Sequence, residues 1–70
     1  MTLDLKQGEQ VTIQAGWGGH GGMAGQDFRR FALDTHAVVT DLVKGSDVYV
    51  LPVDSPYKWR VPIRSLVAAQ

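Results

Sequence analysis

The stretch that decides the fold is "YKWRVPIRSLV", Tyr57 to Val67. Tyr57, Trp59, Val61 and Ile63 alternate with Lys58, Arg60, Pro62 and Arg64, the two-residue period that sends successive side chains to opposite faces of a strand. The alternation predicts an apolar face bearing both rings and a basic reverse bearing Lys58 and Arg60. Pro62 has no amide hydrogen to give to a ladder, so the strand ends there or lies at a sheet edge. Ile63-Arg64-Ser65 then reads as one tight helical turn leading into a last short strand, Leu66-Val67.

Working outward, Asp54-Ser55-Pro56 is a turn signal, and "VYVLPV" before it is a short β-branched run. Lys44-Gly45-Ser46-Asp47 offers turn chemistry between that run and His36–Val43, "HAVVTDLV", so the two runs form a hairpin. Near the start, Val11, Ile13 and Ala15 alternate with Thr12 and Gln14 behind the turn residue Gly8. "QDFRRFALDTHA" mixes helical and strand spacings, and reads as irregular structure feeding a strand near Phe31. The expectation is an all-β chain of about five short antiparallel strands with no helix of any length.

Seventy residues make one domain with a small core. The absence of cysteine removes disulfides and cysteine-ligated metal as staples, which leaves packing or self-association. An apolar share of 44% against 20% charged residues is that of a globular chain. Seven acids balance seven bases, which argues against a protein that coats nucleic acid. No run approaches a membrane span, and the N-terminal residues lack the pattern of a secretory signal, so a cytoplasmic location is expected. A phage or plasmid product would read the same way.

So many short strands without helices to cover them are best satisfied by a small barrel that pairs its own edges. The residues Gly8-Glu9-Gln10-Val11, the long segment through 16–30, the hairpin at Lys44–Asp47 and "WRVPIRSLV" together resemble the SH3-like barrel superfamily. In that superfamily a proline closing the fourth strand leads through one helical turn to a brief fifth strand, which the resemblance assigns to Pro62–Val67. It implies a single SH3-like domain over residues 1–70 with a long Gly-rich loop between the first two strands. "VPIRSL" is also similar to the ending of the type II dihydrofolate reductases, small SH3-like chains that work as a tetramer around a pore. Their reactive Val-Gln-Ile-Tyr is replaced here by Lys58-Trp59-Arg60-Val61, so the oligomeric pore enzyme is a remote alternative. The aromatic segments with which SH3 domains hold proline-rich peptides are absent.

Six of the eight glycines fall within "GWGGHGGMAG", Gly16 to Gly25. Gly16–Gly21 satisfies G-x-G-x-x-G, yet a dinucleotide site needs a parallel sheet with crossover helices, and the rest of the chain reads as hairpins. Gly18-Gly19-His20-Gly21 fits the G-x-x-G of KH domains without the flanking helices. The tract is therefore expected to be a flexible contact lip. In it Trp17 either folds back as a cap or serves as an aromatic anchor, with His20 and the adaptable Met23 beside it. His20 and His36 have no ordered acids or cysteines around them, so no metal site is expected. No serine stands beside a histidine with a supporting acid, so no catalytic residue is assigned.

Lys58, Arg60 and Arg64 supply three of the seven bases within seven residues, and Arg29 and Arg30 join them in a candidate basic strip. Asp34, Asp41, Asp47 and Asp54 face only Lys44 over residues 34–54, a segregation of charge that favours oriented association, including self-association. The sequence thus reads as a small non-catalytic binding or adaptor module without cofactor. Its partner is expected to be a protein, contacted through Trp17, His20, Met23, Arg29, Arg30, Lys58, Arg60 and Arg64; nucleic acid is the alternative partner.

Overall fold

A computed structural model describes residues 5–22, 25–42 and 45–69. The chain is all-β, with strands β1 (Gln10–Ile13), β2 (Gly18–Gly21), β3 (Asp27–Arg30), β4 (Thr35–Leu42), β5 (Asp47–Pro52), β6 (Trp59–Pro62) and β7 (Leu66–Ala68). They form one antiparallel sheet in the order β3-β2-β6-β5-β4-β1-β7, open at β3 and β7, so the expected pairing of the sheet's own edges into a closed barrel is not found among the described residues. A 3₁₀ turn at Ile63–Ser65 joins β6 to β7. It is tied down by Ile63 N donating to Ser46 O at 2.7 Å and Gln14 N to Ser65 O at 2.8 Å.

Both halves of the sheet cover one core, made of Val11, Ile13, Phe31, Ala37, Val39, Val48, Val50, Trp59, Val61 and Leu66. Each fully buried aliphatic side chain contributes about 1.5–3 kcal/mol by leaving water. Trp59 is 5% exposed. Its ring meets Phe31 edge-on at 6.4 Å, and its Nε1 donates to Ser55 Oγ at 3.0 Å, so the one polar atom of the indole is satisfied. The alternation expected of the decisive stretch holds, with Trp59 and Val61 inward and Lys58 and Arg60 outward. Tyr57 departs from it: 39% exposed, it stands at the rim with its hydroxyl donating to Asp27 at 3.1 Å.

Two departures from the sequence reading concern the glycine tract. There are seven strands where about five were expected, and Gly18–Gly21, expected as loop, is strand β2, paired with β3 on one side and β6 on the other. The cause is close approach. A Cβ on Gly19 would stand 2.7 Å from Val61 Cγ1, and one on Gly21 would stand 2.6 Å from the Trp59 ring. Only a strand without side chains on its inner face lies this near β6. Similarly, β3 precedes Phe31 instead of starting near it.

Entry into β2 is a bulge. Trp17 N donates to Gln14 O, Gly16 N to Phe31 O, and Phe31 N to Trp17 O. Gly16 and Trp17 therefore oppose the single residue Phe31, with Gly16 at φ +93°, a left-handed conformation that glycine adopts cheaply. A second register shift, between Val39 and Asp41, turns Asp41 to the outer face, opposite Tyr49.

Candidate binding surface on the outer face of the sheet

Register places one row of side chains across the outer face of the sheet. Phe28 of β3 stands opposite His20 of β2, His20 opposite Arg60 of β6, and Arg60 opposite Tyr49 of β5. Asp41 of β4 ends the row beyond Tyr49. The Phe28 and His20 rings lie 5.3 Å apart. Phe28 remains 65% exposed, and a Cβ on Gly18 would fall 2.7 Å from its ring, so the glycine leaves the room that ring occupies.

Above this row is an open hollow of about 700 Å³, whose floor is the glycine backbone of β2 and whose walls include His20, Asp47, Tyr49, Lys58, Arg60 and Pro62. Lys58 Nζ donates to Asp41 at 2.7 Å and lies 4.6 Å from the centre of the Tyr49 ring. Arg60 Nε donates to Asp47 at 2.9 Å. The hydrogen bond from Lys58 holds the Asp41 carboxyl below its ordinary value and in return raises Lys58. Arg60 is raised first by its hydrogen bond to Asp47, then by that carboxylate's charge, with smaller contributions from Tyr49.

Of the residues singled out from the sequence, the hollow brings together His20, Lys58 and Arg60. Arg29 does not join them. Standing opposite Gly19 on the inner face, its guanidinium lies 4.3 Å from the Phe31 ring centre and grips Asp54 with two bonds, at 2.9 and 2.7 Å. Arg30 is exposed on β3, and no ion pair holds it among the described residues. Trp17 is half-buried beneath Arg64, whose guanidinium lies 5.5 Å from the indole centre, and neither lines the hollow. Met23 lies outside the described residues.

The acids that looked segregated along the chain are recombined by folding. Asp41, Asp47 and Asp54 neutralise Lys58, Arg60 and Arg29 in turn. Sequence reasoning missed Tyr49, Phe28 and Asp47 as parts of the surface. The signal for Tyr49 was present, because a lone aromatic between Val48 and Val50 takes the outward position of its strand. No group of three His, Asp or Glu side chains able to hold a metal occurs among the described residues, nor does a helix long and apolar enough to cross a membrane.

Compared with protein-family models, curated proteins and solved structures, the chain matched none.

Proposed function

We propose that this chain is a small non-catalytic binding module with SH3-like barrel architecture, which takes up a segment of a protein partner on the outer face of β3, β2, β6 and β5. The architecture is supported by β6 ending at Pro62 and passing through a single 3₁₀ turn into a three-residue last strand. In this reading β1, β4, β5, β6 and β7 are the five strands of the barrel, and the β2–β3 hairpin replaces the long loop after the first. Trp59 and Val61, at the positions of the reactive residues in the type II dihydrofolate reductases, are in the core here. This favours binding over pore catalysis.

The observation that carries the reading is the unbroken row Phe28–His20–Arg60–Tyr49 beside an open hollow floored by glycine backbone. An exposed phenylalanine and a half-buried tyrosine in one row with an arginine match the aromatic and arginine enrichment of interface hot spots. The partner is a protein rather than nucleic acid, because Lys58, Arg60 and Arg29 each already hold a carboxylate. A polyanion would have to displace those acids or lie against them.

The test is a selection of phage-displayed peptides on the full chain, followed by rebinding to Phe28→Ser, Tyr49→Ser and Trp17→Ala. The two outer-face variants weaken the selected peptides by at least about tenfold, or roughly 1.4 kcal/mol, with little change in melting. Loss only with Trp17→Ala moves the contact to the Trp17–Arg64 pair and overturns this placement. Steeply salt-dependent retention of oligonucleotides, with no peptide selected, overturns the choice of partner.

A further inference from the structure

We propose that the hollow contains a carboxylate seat: the guanidinium of Arg60, anchored through Nε to Asp47, offers its two Nη groups to the carboxylate of an acidic peptide whose neighbouring aromatic side chain lies against Tyr49 and His20. The inference rests on the binding-module reading and names the chemistry of the partner.

Three observations carry it. Within hydrogen-bond distance among the described residues Arg60 reaches Asp47 through Nε, at 2.9 Å, with the Tyr49 side chain close beside the guanidinium and no carboxylate on either Nη group. Planar guanidinium edges match carboxylates by paired N–H donation, which a lysine ammonium cannot reproduce. Next, the charges of the hollow balance. Lys58 is paired with Asp41 and Arg60 with Asp47, so a carboxylate on the free edge of Arg60 adds one negative charge beside Asp47, where a phosphate dianion would add two and be repelled more strongly. Finally, Tyr49 and His20 flank Arg60 on the adjacent strands, and the glycine floor lets a peptide backbone approach without meeting side chains.

The experiment is a heteronuclear NMR titration of the full chain with N-acetyl-Phe-Glu-Phe-amide, its Gln analogue, inorganic phosphate and a short thymidine oligonucleotide. The Glu peptide shifts the amides of His20, Tyr49 and Arg60 and the Arg60 Nε–H, and binds about tenfold more tightly than the Gln peptide. Arg60→Gln erases that preference, and Arg60→Lys restores only part of it. Asp47→Asn, which leaves Arg60 in place and removes the competing acid, keeps or strengthens it, so the proposal does not hang on one variant that fails to fold. Equal binding of the two peptides at these residues overturns the seat and leaves the binding-module reading standing. Stronger perturbation by phosphate or by the oligonucleotide, or no shift with either peptide, also overturns it.

Discussion

Replacing Gly21 by alanine separates a strand from a flexible loop by the sign of the effect. The new Cβ would lie 2.6 Å from Trp59 Cδ2 and Cε3 and 2.9 Å from the Lys58 carbonyl oxygen. The indole is held by Ser55 and wedged against Phe31, and the carbonyl belongs to the backbone, so neither yields cheaply. Overpacking of this kind costs about 1–3 kcal/mol. Against it stands a gain of roughly 0.4–1 kcal/mol, because alanine restricts the unfolded chain more than glycine does. The net expectation is a loss of about 1–2 kcal/mol, which lowers the melting temperature of a domain this size by roughly 4–16 °C. Urea denaturation followed by circular dichroism reads the value, and a Trp59→Leu background relieves the clash and shrinks it. If Gly21→Ala left stability unchanged or raised it, the tract would be behaving as an unpacked loop and the assignment of β2 would be wrong.

Other outcomes follow from the same contacts. Gly16→Ala costs about 1–2 kcal/mol through its positive φ alone, since no atom stands within 4 Å of the new methyl. Gly16→Asn costs less, and equal losses in denaturant would speak against the bulge. Ser55→Ala strips Trp59 Nε1 and the Tyr57 amide of their acceptor and lowers stability by about 1–2 kcal/mol in the same assay. Asp54 and Asp41 are held below the ordinary carboxylate range by Arg29 and Lys58. The folded chain thus binds these protons less readily than the unfolded one, and their stabilisation, complete above about pH 5, is lost as pH falls through the unfolded value to the depressed ones. Melting temperature therefore drops on acidification and Asp54→Asn flattens part of the drop; a pH-independent melt would contradict both ion pairs.

The elements read correctly from the sequence are those in which local pattern and long-range packing agree. Trp59 and Val61 alternate inward, Pro62 ends β6, and Ile63–Ser65 turns into β7, because each feature is written in neighbouring residues. Strand β2 was illegible for a physical reason. Glycines carry no side-chain alternation, and what makes Gly19 and Gly21 necessary is Val61 and Trp59, some forty residues away. Arg29 looked like part of a solvated strip, since its pairing with Asp54 and its place over Phe31 depend on β3 lying against β2. The outer surface was half legible. Its cations stood out as a cluster, but the acids that hold them and the rings of Phe28 and Tyr49 meet them only once the strands are in register.

The central claim is that the glycine tract is a built strand whose backbone floors a binding hollow, and amide hydrogen exchange tests it most directly. In the bulge Phe31 N donates to Trp17 O, so by the alternation of an antiparallel ladder the amides of Gly19 and Gly21 face β3 and that of His20 faces β6. The account predicts that these three amides are protected together with Val61 and Tyr49 in the centre of the sheet. Exchange at Gly19, His20 and Gly21 as fast as in an unstructured peptide would contradict it.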